Sequence, residues 1–382
     1  MKKITASLVF IFVAMTTYAQ LGELTFDGFV RTGFIWNKEE IIGKDAKQNI
    51  KMQNLDDAGN GQGRIRMNFT YEINNVGVKG RLQWDDWKAK ASPDWPYLFA
   101  YINSFENQLT LSAGKLGASP WGTGGPEEWK DLESVDKGGG VRVEYKPASL
   151  PGLNVGLVFN WFNGSMDRGI DSEVTLLDLL QESVFGVAYE NDYFLVHFEY
   201  RLDSGIDQRP GSAIQSGGIR EGDDLVYRLE ERVLKNYLNG LKVWALGVYE
   251  GVGAEYTECI FLKNWLFAEY APDWGTAQIR LGYKVVETRS IISVKPSYYH
   301  NLFNNLLSVG ASFMYENDFG DRINKDAPYT EIQLEPKLQL NFPNAYVAFT
   351  YNFKQNYKRP EKGTALPLER YQTMNLRFGL TF

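Results

Sequence analysis

The sequence predicts an all-β protein: an antiparallel transmembrane β-barrel of about 18 strands, with about 16 as the alternative count. Three observations predict this fold. Apolar and polar side chains alternate from end to end of the chain, tight turns alternate with long connections, and the N-terminus carries an export signal. Strands that cross a membrane alternate in this way because one face meets lipid and the other meets a lumen.

The alternation of apolar and polar residues is regular over whole segments. It is clearest in three of them: RIRMNFTYEI (64–73), AQIRLGYKV (277–285) and EIQLEPKLQLNF (331–342). Successive side chains of a strand point to opposite faces, so each segment has one apolar and one charged or polar face. No comparable stretch has a sustained helical period.

The connections between these strands differ in length in a regular order. Short ones are expected at 74–75, 106–107, 190–192 and 342–344, and long ones at 37–62, 117–139, 164–182, 202–222, 317–328 and 357–370. An antiparallel membrane barrel has this order because one rim holds tight turns and the other holds long loops. An even strand count places both termini on the turn side.

The N-terminal residues 1–19 have the pattern of a secretory signal peptide. A charged MKK precedes the apolar run ITASLVFIFVAM, and small residues allow cleavage after Ala19. A membrane anchor is the alternative, but the apolar run is shorter than the roughly 20 residues that span a bilayer. The mature chain, 20–382, is then expected to form a single barrel domain.

The composition argues against several other classes of protein. A net charge of −7 disfavours nucleic acid as a partner, and the lone Cys259 excludes an internal disulfide. His197 and His300 lie far apart without a catalytic motif, and the run NLDDAGNGQG (54–63) lacks the EF-hand spacing. We therefore expect no catalytic residue, metal or cofactor, and no enzyme activity.

A soluble β-sandwich or β-helix would also alternate, so the membrane assignment rests on two further features. The polar face is dense in charge, as a water-filled lumen requires. Aromatic residues also concentrate near strand ends, where they suit a membrane–water interface. These aromatic residues are Phe34, Trp36, Trp84, Trp87, Trp161, Trp265, Tyr351 and Phe353.

With these features, the chain resembles the porins of the Gram-negative outer membrane. The resemblance is carried by the signal peptide, the alternating strands and the terminal strand YQTMNLRFGLTF (371–382). It implies an outer-membrane location, a homotrimer, and a final Phe382 that forms part of the signal read by the barrel-assembly machinery. It fixes no subfamily and no solute.

Strand parity places a group of cations on the lumen face. We expect them to line the lumen or its constriction, on neighbouring strands about 4.8 Å apart, and to lack partners within their own strands. They are Arg31, Arg64, Arg66, Lys79, Arg81 and Arg142, with Lys146, Arg280, Lys284 and Arg377 on other strands. The alternative is that these are solvated charges with no special role.

The connection 117–139 follows the fifth predicted strand. In porins, the loop at that position folds into the lumen, so the resemblance implies that this loop presents acidic residues to the basic wall and that Trp121 and Trp129 anchor it. Its acidic residues are Glu127, Glu128, Asp131, Glu133 and Asp136. The alternative is an ordinary exposed loop.

The function expected from the sequence is therefore a porin-type channel for passive diffusion of small hydrophilic solutes or ions. Its partners would be membrane lipids and those solutes. Two alternatives are an outer-membrane barrel enzyme of the lipase or protease type, and a surface-binding or adhesion barrel.

Overall fold

The computed structural model describes most of the mature chain. The described residues are 22–41, 46–52, 64–84, 94–116, 120–121, 139–159, 183–202, 223–234, 238, 240–252, 261–286, 289–319, 329–358 and 366–382. The predicted signal peptide, 1–19, lies outside them.

The described residues form nineteen strands in a single antiparallel sheet, in which each strand from β3 onward pairs with the next one along the chain. Their bounds are β1 Glu23–Ile41, β2 Lys47–Met52, β3 Arg64–Ile73, β4 Val76–Trp84, β5 Asp94–Ser104, β6 Leu109–Lys115, β7 Gly139–Tyr145, β8 Leu153–Phe159, β9 Ser183–Glu190, β10 Phe194–Arg201, β11 Asp223–Glu231, β12 Leu241–Val252, β13 Phe261–Tyr270, β14 Gly275–Val286, β15 Arg289–Leu302, β16 Leu307–Asp318, β17 Tyr329–Phe342, β18 Ala345–Lys358 and β19 Leu366–Thr381.

The sheet closes on itself, because β1 also pairs with β19. Strands β2 and β3 lie end to end along the other edge of β1: β2 pairs with Phe34–Glu39, and β3 with Glu23–Arg31. These two strands share one place in the ring, so the barrel has 18 strand positions. The predicted all-β antiparallel barrel and its larger strand count are confirmed.

The tight turns lie where the sequence predicts them. Asn74 and Asn75 join β3 to β4, and Asn74 has a φ of 54°. Phe105, Glu106 and Asn107, between β5 and β6, all have positive φ, with values of 51°, 55° and 67°. Asparagine tolerates this left-handed region better than most residues, which is why it recurs in these turns.

The last residue of the chain takes part in the closing seam. The backbone N–H of Gly28 donates to the carbonyl of Phe382 at 2.9 Å, and the Phe382 N–H donates back to Gly28 at 3.1 Å. The ring of Phe382 lies over Gly28, where a Cβ would come within 2.8 Å of it. The final strand is therefore held along its whole length.

Two of the predicted long connections are shorter than expected. Strands β1 and β2 occupy much of 37–62, and β18 and β19 extend into 357–370. In both regions, strand pairing continues beyond the segments in which apolar and polar residues alternate regularly. Both faces of β1 carry polar residues in this region, including Asn37, Lys38 and Glu39, so the two-residue period that marks a strand disappears from the sequence.

The outer face of the barrel is apolar. Many outward side chains are large and hydrophobic, as in β19 with Met374, Leu376, Phe378 and Leu380. The side chains between them point inward. Within the described residues, no helix is long and apolar enough to cross a membrane.

Candidate functional site

The six cations predicted to be important all lie on strand positions that face the lumen. Five of them form one contiguous patch on β1, β3 and β4, which we call the basic wall. The basic wall consists of Arg31, Arg64, Arg66, Lys79 and Arg81, and Arg142 lies apart on β7.

Strand register spreads the basic wall along the barrel. Lys79 lies opposite Thr70, Arg81 opposite Asn68, and Arg31 opposite Arg64. From Thr70 to Arg64 the chain advances by six residues, which is about 20 Å along a strand. The wall is thus a sloping row of positive charge rather than a single ring.

Two arginines of the basic wall are fixed by neutral amides on the neighbouring strand. The Nε of Arg81 donates to Asn68 Oδ1 at 2.7 Å, and the Nε of Arg66 donates to Gln83 Oε1 at 2.8 Å. The amide of Asn68 in turn donates to the carboxylate of Asp27. These bonds set the orientation of both guanidinium planes without neutralising them.

Aromatic rings of the inner face lie against the cations at cation–π distance. The cation-to-centroid distances are 5.5 Å for Arg31 and 5.2 Å for Arg66 over Phe29, 4.9 Å for Arg81 over Tyr97, 5.1 Å for Lys79 over Tyr101, and 5.4 Å for Arg142 over Phe99.

Arg142 is placed differently from the basic wall. Its Nε lies 2.8 Å from Glu144 Oε1, and both side chains are buried. The expectation that each arginine lacks a partner in its own strand is therefore wrong for Arg142. Residues two apart share a face of a strand, and Glu144 is the next inward residue after Arg142.

Part of the 117–139 loop lies inside the barrel. Trp121 is 0% exposed and belongs to a buried cluster with Phe99 and Tyr101 of β5 and with side chains of β8 and β9. Its ring covers Gly156 and Gly186, where a Cβ would clash with it. The two glycines create the space on the inner face that a tryptophan requires, and Trp121 occupies it as predicted.

The acidic residues assigned to this loop lie outside the described residues. Glu127, Glu128, Asp131, Glu133 and Asp136 therefore remain predictions, as does Trp129. The same holds for the run 54–63. Among the described residues, no group of three or more His, Cys, Asp or Glu side chains is arranged to hold a metal ion.

A second buried apolar cluster covers part of the opposite inner wall. It comprises Val226, Trp244, Leu246, Val248, Trp265 and Phe267, on β11, β12 and β13. Strand β12 lies nine positions round the barrel from β3, half of the 18. The lumen is thus lined by charge on one side and partly by apolar side chains on the other.

The prediction that Trp265 lies at the membrane interface is wrong. Its neighbours Asn264 and Leu266 face outward, so Trp265 faces the lumen, where its ring covers Gly282. Arg280 and Lys284 lie over the ring at 4.5 and 5.4 Å. Trp265 also lies in the middle of β13, Phe261–Tyr270, rather than at a strand end.

A cavity of about 550 Å³ lies at the turn-side mouth, lined by residues that include Lys146, Pro120 and His197. Glu190, on its edge, accepts a hydrogen bond from Arg232 at 2.7 Å. Burial disfavours the charge of Arg232, but its hydrogen bonds to Glu190 and Glu230 outweigh this and raise its pKa. The hydrogen bonds among Arg232, Glu190 and Glu230 stabilise the turn-side rim.

The closed ring and its apolar exterior decide the class of the protein. Only helices and closed barrels satisfy their backbone hydrogen bonds within a bilayer, and barrels of this kind belong to outer membranes. The chain is an outer-membrane β-barrel. Its architecture agrees with the porin-type barrel that the sequence resembles.

Comparison with known proteins adds solved structures but no family assignment. No family model and no curated protein sequence matches the chain. In-vitro folded OmpT, an outer membrane protein of Vibrio cholerae, is 13% identical over 95% of this chain and 98% of its own, with a TM-score of 0.47. A triple mutant of the Rhodopseudomonas blastica porin is 16% identical over 94% and 100%, with a TM-score of 0.44.

The side chains that position the cations, Asn68 and Gln83, were not predicted from the sequence. Asn68 and Gln83 lie on the same parity as Arg66 and Arg81, so strand pairing could have identified them. Phe29 and Tyr97 could not be identified in this way. They are aromatic residues on the inner face, where the alternating pattern predicts polar ones.

Proposed function

We propose that the protein is a porin-type channel through which small hydrophilic solutes and ions diffuse passively across the outer membrane, with a preference for anions. The observation that carries the proposal is the basic wall, five cations on adjoining strands of the inner face. A barrel of this size is too wide for side chains to fill, so a water-filled path is the expected state.

Several features support this proposal. Charged side chains that line a pore determine its ion selectivity. The basic wall places cations over about 20 Å of the inner face. Trp121 is buried against the inner wall, which supports the expectation that the 117–139 loop narrows the path. The proposed channel needs no catalytic step and no cofactor, and we propose a homotrimer on the porin resemblance alone.

The proposal is tested by reconstituting the purified protein in a planar lipid bilayer. We expect ohmic conductance steps of uniform size, and swelling of proteoliposomes in small neutral solutes that diminishes as solute size increases. The control is the same preparation unfolded in detergent before reconstitution. Folded protein that inserts but never conducts would contradict the proposal.

A further inference from the structure

The middle of the basic wall, between Lys79 on the turn side and Arg64, combines cations with aromatic rings that are not fully buried. Arg66, Arg81, Phe29 and Tyr97 are each partly exposed, whereas Arg31 and Arg64 are buried. A solute in the lumen can therefore reach the first four side chains. We call these four residues the ring–guanidinium site.

The two arginines of the site are diagonal neighbours. Arg66 lies opposite Gln83, and Arg81 lies two residues before Gln83 on the same strand. Diagonal pairs across two strands are about 7–8 Å apart, so one small solute can contact both guanidinium groups. Phe29 flanks the pair on β1 and Tyr97 flanks it on β5.

Both guanidinium groups are anchored through Nε, by Gln83 and by Asn68. A carboxylate binds a guanidinium best through two parallel hydrogen bonds. The Nε–H of Arg81 already donates to Asn68. A carboxylate can therefore approach this guanidinium group from the side of its two terminal nitrogens. The anchoring also removes rotamer freedom before a solute arrives, which lowers the cost of binding.

The rings add a preference that charge alone does not give. A halide or acetate gains nothing from Phe29 or Tyr97, whereas a planar aromatic body can pack against either ring in an offset or edge-to-face arrangement. Tyr97 is oriented by its hydroxyl, which lies 3.5 Å from Asn68 Oδ1. The same amide therefore positions one ring and one cation of the site.

Resting on the proposed channel function, we propose that the ring–guanidinium site binds small aromatic carboxylates, and that these are a preferred class of solute. The carboxylate pairs with Arg81, with the positive charge of Arg66 close by, and the ring packs against Tyr97 or Phe29. Binding is weak and reversible, as permeation requires.

The test measures block of chloride current by benzoate, acetate and cyclohexanecarboxylate in planar bilayers. We expect benzoate to halve the current at a lower concentration than either of the other two anions. In the double variant Phe29→Leu/Tyr97→Leu, the half-blocking concentration of benzoate should increase about threefold to tenfold relative to that of acetate. The conservative pair Phe29→Tyr/Tyr97→Phe keeps both rings and should retain the wild-type ratio.

The matched control is Phe313→Leu/Tyr315→Leu, which makes the same changes on the outer, lipid-facing side of β16. It should leave the benzoate-to-acetate ratio as in the wild type. Chloride currents with equal block by benzoate and acetate would overturn the inference and leave the channel proposal standing. Equal block by cyclohexanecarboxylate and benzoate would overturn it too, because apolar bulk would then suffice. Folded protein without any current would overturn both proposals.

Discussion

Replacing Trp121 by alanine should remove the contact that holds the beginning of the 117–139 loop against the inner wall. The side chain is 0% exposed and covers two glycines, so alanine leaves a cavity that the rigid sheet cannot close. Truncating a buried tryptophan to alanine costs about 3–5 kcal/mol. If the cost acts on docking of the loop, the ratio of docked to undocked loop falls at least about 100-fold, since 1.4 kcal/mol is tenfold.

Single-channel recording measures this change. Trp121→Ala should give larger conductance steps than the wild type, or steps that fluctuate between two sizes. Gly186→Ala tests the same contact from the opposite side, because its methyl group occupies the space of the tryptophan ring. Trp274→Ala, in an exposed turn between β13 and β14, is the matched control and should leave the steps unchanged.

Wild-type conductance in both Trp121→Ala and Gly186→Ala would contradict this prediction. It would show that this contact does not control the width of the path. A lower conductance in Trp121→Ala would also contradict the prediction, because loss of the Trp121 contact should widen the path and increase the conductance.

Three further predictions concern the wall, the seam and the buried ion pair. Arg64→Ala/Arg66→Ala should shift the zero-current potential in a salt gradient toward cations, and an unchanged potential would remove both residues from the selective part of the path. Deleting Phe382 removes the two backbone bonds to Gly28 and should lower the amount of folded barrel in the outer membrane, while barrels that do assemble conduct normally; full insertion of the truncated chain would contradict this. Glu144→Gln leaves buried Arg142 without its counter-charge, at a cost of about 3–5 kcal/mol, and should lower the temperature at which the barrel unfolds in detergent gels. Glu190→Gln is its control, because the Glu190 side chain is 57% exposed and an exposed ion pair contributes less than about 1 kcal/mol. Equal shifts in the two variants would refute the assignment.

The barrel could be predicted from the sequence because its determinants are local. Alternation of side chains, asparagine-rich turns and the terminal strand each appear within a few residues of chain. The even strand count follows from the order of short and long connections. The exception is the region of β1 and β2, where both faces are polar and the pairing is determined by neighbouring strands.

The lumen was predictable only in part. Parity was sufficient to place Arg66 and Arg81 inside, since it depends on one strand at a time. The partners of these arginines depend on register between strands, which the sequence does not state. The same limit applies to Gly156 and Gly186, whose role is apparent only once Trp121 lies over them.

The most direct test of the central claim is the zero-current potential of the wild-type channel in a potassium chloride gradient. We predict steady conductance with a potential whose sign shows that chloride passes more readily than potassium. A potential of the opposite sign would contradict the claim that the basic wall controls the path. An inserted, folded barrel without current would contradict the channel itself.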